Sequence, residues 1–149
     1  VTPKATLLLL GTLVTFNATA AAEAVDGAAI FLAVDPFHGD GETGGFIEYR
    51  RQRVQLHAGC FNPCAAGIEY VWRLHPNGAA FFLGAATLNN VNQVNGTRTN
   101  FVGGFSVPIA KHVSAQFRHY SNGARWHSPI SDEQAPNLGW NFIGLKWTP

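Results

Sequence analysis

From residue 28 onward, apolar side chains recur at alternate positions in runs of about seven to eleven residues, the period of strands that bury or expose one apolar face. Between Ala65 and Leu74, Ile68, Tyr70, Trp72 and Leu74 fall on one face and Glu69, Val71 and Arg73 on the other. Val54, Leu56 and Ala58 oppose Gln55 and His57, and Phe101, Phe105, Val107 and Ile109 oppose Asn100 and Ser106. Gly, Asn and Pro clusters punctuate these runs. Eight strands are predicted: Ala28 to Asp35, Gly44 to Arg50, Arg53 to Cys60, Ala65 to Leu74, Ala79 to Leu88, Asn100 to Ala110, Val113 to Ser121 and Asn137 to Trp147. Glu48, Arg50, Glu69, Arg73, Gln116, Arg118 and Lys146 share the polar faces, where opposite charges can pair.

The connections alternate in length. Arg51-Gln52, His75 to Gly78 and Lys111-His112 are short, whereas Pro36 to Thr43, Asn89 to Thr99 and Asn122 to Pro136 are longer, with Phe61 to Pro63 a short exception among them. In an up-and-down meander the tight turns then gather at one end and the long loops at the other. An even number of strands with this asymmetry predicts an all-β, eight-stranded antiparallel up-and-down outer-membrane β-barrel, too narrow for an open pore. Alternation alone does not say which face points outward, because a soluble lipocalin-like barrel inverts the pattern.

The first residues supply the compartment. Lys4, an apolar run from Ala5 to Phe16 and small residues ending near Ala22 have the layout of a secretory signal peptide, and a run of about 12 residues is too short for a membrane helix. Residues 1–22 are therefore read as a signal peptide and 23–149 as the barrel domain. Export and strand length favour the membrane version of the barrel. Without Lys4 the chain has equal numbers of basic and acidic residues, and no basic block, so it is not built to bind nucleic acid by charge.

Cys60 and Cys64 frame a short hairpin, which in an oxidising compartment predicts a disulfide across the turn. Two cysteines without a second ligand pair do not make a metal site. The acidic segment from Asp35 to Glu42 lacks the ligand order of a calcium loop and is read as solvated. His119 and Ser121, two apart on the seventh strand, leave the same face as Val113, Ala115 and Phe117. An imidazole there can take the hydroxyl proton and make the serine a nucleophile. Polar groups on an apolar face next to the longest loop are costly in lipid unless they have partners or a function.

The segment Phe117-Arg118-His119-Tyr120-Ser121-Asn122-Gly123, followed by Pro136-Asn137-Leu138-Gly139-Trp140-Asn141, resembles the PagL-type lipid A 3-O-deacylases of the acyloxyacyl hydrolase family. The resemblance is specific to the last third of the chain. It implies an eight-stranded outer-membrane barrel with a Ser-His-Glu triad on its outer wall. It further implies Ser121 as nucleophile, His119 as general base, and Asn122 and Gly123 as the oxyanion hole. Asn141 stands where the family has its acid; its carbonyl can orient the imidazole but cannot offset imidazolium charge. Asp132 or Glu133 in the last loop are alternative acids.

The implied reaction is hydrolysis of the ester that holds the 3-linked hydroxyacyl chain on lipid A, with no cofactor. Lipid A or lipopolysaccharide in the bacterial outer membrane is the expected partner. Arg98 and Arg125, in the long loops, are candidates for its phosphates, since guanidinium pairs bidentately with phosphate. Trp126, Trp140 and Trp147 are candidates for interfacial girdles or for barrel packing. Two other functions fit the same pattern: a non-catalytic structural barrel, and a soluble carrier of an apolar ligand. Oligomeric state is left open.

Overall fold

A computed structural model describes residues 26–37, 41–90, 97–121 and 139–149. The proposed signal peptide lies outside the described residues. The strands are β1 (Gly27–Asp35), β2 (Glu42–Arg51), β3 (Val54–Cys60), β4 (Cys64–Arg73), β5 (Ala80–Leu88), β6 (Thr99–Ala110), β7 (Val113–Ser121) and β8 (Trp140–Trp147). Each pairs antiparallel with its neighbours in the chain, and β1 pairs with β8, closing an eight-stranded barrel. The β1–β8 seam has five paired residues, Ile30↔Trp147 to Val34↔Ile143, against seven to nine in every other pair. Arg51 belongs to β2, so the first tight turn is Gln52-Arg53, with Gln52 in the left-handed region at φ 56°.

The apolar faces point outward. Ile47 is 66% exposed and its neighbour Glu48 is 1% exposed, and the same contrast runs around the wall through Leu32, Leu56, Ile68, Phe101, Ile143 and Leu145. A lipocalin-like barrel would be polar outside; here the outside is apolar and the inside combines charged with aromatic side chains, an arrangement compatible with a barrel surrounded by hydrocarbon.

Inside, the strands bring together charges that are far apart in sequence. Arg118, fully buried, donates to Glu69 Oε1 (2.5 Å) and Glu48 Oε1 (2.7 Å). Gln55 donates to Glu69 (2.6 Å), Gln116 to Glu48 (2.6 Å), and Lys146 Nζ reaches Glu48 Oε2 (2.9 Å). Removing these charges from water is expensive, and mutual pairing offsets that cost. Towards the long-loop end the lumen is filled by Phe31, Phe46, Phe61, Tyr120, Trp140 and Phe142. Phe61, from the β3–β4 turn, packs its ring 4.7 Å from that of Phe142, 5.0 Å from Trp140 and 5.3 Å from Tyr120. The hairpin that carries it is bridged by the Cys60–Cys64 disulfide, whose Cα atoms are 3.8 Å apart. Trp140 is thus interior packing, while Trp147 is exposed on the outer wall; Trp126 lies outside the described residues.

Candidate active site

Alternation along β7 turns Gln116, Arg118 and Tyr120 inward and leaves His119 and Ser121 half-buried on the outer wall. β8 continues the surface, since His119 is the register partner of Asn141 and Ser121 that of Phe101 on β6. Directly across from His119 on its other side is Gly103, which has no side chain to cover the ring. His119 Nδ1 and Asn141 Oδ1 are 2.8 Å apart. The Asn141 amide nitrogen faces the Gly139 carbonyl at 3.5 Å, so the amide presents its oxygen to the ring. A carbonyl oxygen only accepts, hence Nδ1 carries a proton, and in the neutral ring Nε2 is the nitrogen that can act as a base.

Two residues behind this pair escape a reading by motif. Asp35 is not in a solvated acidic loop, as the sequence reading has it: it is completely buried. It falls on the inward parity of β1 with Ala29, Phe31 and Ala33, and its carboxylate accepts the backbone N–H groups of Phe37 (2.8 Å) and Asn141 (2.8 Å). The alternation of the first strand already carried that signal, masked by the acidic run after it. Gly139, at φ 58°, passes so close to β7 that a Cβ there would overlap the Tyr120 carbonyl oxygen and lie 3.0 Å from His119 Cε1. The chain therefore enters β8 pressed against the imidazole, which only glycine allows.

Arg98 is exposed at the long-loop end, its carbonyl accepting the N–H of Leu88 (2.7 Å), three residues from Phe101. Asn122, Gly123, Arg125, Asp132 and Glu133 lie outside the described residues. Among the described residues no group of three or more His, Cys, Asp or Glu side chains is placed to hold a metal ion. The geometry provides an imidazole oriented by an amide, on the same apolar wall as a serine two residues away. Compared with protein-family models, curated proteins and solved structures, the chain matches none.

Proposed function

We propose that the protein is an outer-membrane esterase that removes the 3-O-linked hydroxyacyl chain of lipid A. The observation that carries this reading is the His119–Asn141 hydrogen bond on the outward apolar wall, beside Ser121. A hydrolytic pair facing away from the lumen suits a substrate whose acyl chains stay in the lipid phase. The apolar outside and charged inside support the membrane setting, and the resemblance of residues 117–123 and 136–141 to PagL-type deacylases supplies the substrate.

Ser121 Oγ attacks the ester carbonyl while its proton passes to His119 Nε2, and the Nδ1–H bond to Asn141 holds the ring in that tautomer. Asn122 and Gly123 would supply the donors that stabilise the oxyanion. The protonated imidazole then gives its proton to the departing sugar hydroxyl. Water, activated by the same imidazole, releases the hydroxy acid and restores Ser121.

Lipid A extracted from cells expressing the parent chain is expected to lose one 3-hydroxyacyl group by mass, and cells expressing Ser121→Ala are expected to keep it. Unchanged lipid A in both, with the barrel folded in the outer membrane, would move the reading to a structural barrel. That alternative draws on one observation, an amide at position 141 where the family has a carboxylate.

A further inference from the structure

We propose that the barrel end opposite His119 carries a second, non-catalytic site that binds the phosphate of an anionic phospholipid in the leaflet at that end. The inference rests on the membrane reading above but not on the esterase chemistry. Arg50, Arg53 and Arg73 converge on a cleft of about 420 Å3, lined also by Gln52, Val71 and Trp72, between the β2–β3 turn and the end of β4. With the exposed Arg51, four of the chain's seven arginines stand at this rim.

Two of the arginines are held by hydrogen bonds. Arg53 Nη1 donates to the Tyr70 hydroxyl (3.0 Å), and Arg50 Nε donates to the Gln52 carbonyl (2.9 Å). The nearest acid, Asp26, spends its carboxylate on the Gln52 N–H (2.6 Å). Among the described residues no carboxylate lies within ion-pair distance of any of the four; at longer range the charge of Arg73 acts unfavourably on Arg50 and that of Asp26 favourably, leaving one acid near four guanidinium groups. Like charges gathered around one cleft in excess of the single acid beside them are stabilised when an anion joins them, and a phosphate accepts several guanidinium N–H bonds at once.

What points to a lipid rather than free phosphate is the wall next to the cleft. Tyr70, Trp72 and Phe81 are exposed on the outside and pack in a row with tilted rings, centroids 4.6 Å apart for Tyr70–Trp72 and 5.7 Å for Trp72–Phe81. Such aromatic rings favour the depth of the headgroup and glycerol. Trp72 belongs to both features, so one molecule with a phosphate and acyl chains would span them.

The test is native mass spectrometry of the refolded barrel released from neutral detergent micelles doped with equal amounts of phosphatidylglycerol and phosphatidylcholine. The parent is expected to retain phosphatidylglycerol at least tenfold over phosphatidylcholine. The triple variant Arg50→Gln, Arg53→Gln, Arg73→Gln is expected to lose that preference, and Ser121→Ala to keep it. Arg73→Gln alone, at the exposed end of β4, should lose severalfold and serves if the triple variant does not fold. A parent without preference, or an arginine variant that folds and retains the parent's preference, overturns the proposal. Inorganic phosphate that displaces the lipid at equal concentration would overturn the lipid assignment in favour of a free-phosphate site. A chain that folds in water without detergent would instead refute the membrane reading, and it would do so before any lipid is added.

Discussion

Replacing Asn141 by alanine isolates the contribution of one acceptor. The backbone N–H of Asn141 keeps its bond to Asp35, Trp140 stays packed inside, and the deleted side chain is half-buried on the outer wall, so little core is lost. The bond that disappears is the one from His119 Nδ1–H, 2.8 Å long. On the proposed mechanism this is a neutral hydrogen bond worth about 0.5–1.5 kcal/mol while the ring is neutral; once His119 holds the serine proton it is charge-assisted and worth about 1.5–3 kcal/mol. Losing the charge-assisted bond and the tautomer it fixes should lower kcat about ten- to a hundredfold. KM should hardly move, because Asn141 touches the base and not the substrate. Asn141→Glu is the converse perturbation. A carboxylate about 4 Å from the imidazolium at an effective dielectric of about 20 contributes about 4 kcal/mol, part of it offset by desolvation of the carboxylate. An increase of tenfold or more in kcat is therefore expected. The assay is release of 3-hydroxy fatty acid from lipid A in mixed micelles, normalised to the folded fraction seen as a mobility shift between boiled and unboiled samples. Asn141→Ala with kcat within twofold of the parent would refute the orienting role, and Asn141→Glu slower than Asn141→Ala would refute the electrostatic one.

Arg118→Met leaves Glu48 and Glu69 buried without their shared cation and should cost about 3–5 kcal/mol in a urea titration of the barrel in vesicles. Adding Glu48→Gln and Glu69→Gln should recover most of the loss, and no recovery would show that the arginine matters by its packing. Phe61→Ala removes the ring that packs on Tyr120 and Trp140, inward neighbours of His119, Ser121 and Asn141, and should cost about 3–5 kcal/mol in the same titration. It should also lower kcat, with Phe61→Leu restoring much of both; unchanged turnover would detach the hairpin from the site. Gly139→Ala should move the His119 ring, seen as a changed Cε1–H resonance, and reduce turnover at least tenfold; an unmoved resonance would contradict the close approach.

Strand number, neighbour order and loop ends were legible because side-chain direction has a period of two and each run was long enough to display it. The outward direction of the apolar faces was not, since inside and outside exchange under the same alternation; it took the burial of Glu48 and Glu69 to decide it. Partners of Arg118 were equally hidden, lying 49 and 70 residues away in sequence. His119 and Ser121 could be placed on one face by counting, and Asn141 on the outward face of the last strand. Their meeting depended on the β7–β8 register, which the long loop before β8 leaves undetermined by sequence. Asp35 was misjudged because its acidic neighbours suggested solvent, while its parity on β1 turned the side chain inward; the inward turn of Phe61 has no signature in the alternation, because the residue sits in the β3–β4 turn.

The short β1–β8 seam gives the Asp35–Asn141 bond a second meaning. Backbone pairing between the two strands stops at Val34↔Ile143, and the next link towards the long loops is made by the carboxylate of Asp35 to the N–H of Asn141. The terminal strands of a meander can meet only when all the strands between them are in place. The last stitch of the seam is therefore also the one that seats the residue orienting His119. Until the barrel closes, the His119–Asn141 pair is not fully ordered, so on the esterase reading proposed above the unclosed chain would be latent and would gain its activity only as the terminal strands meet.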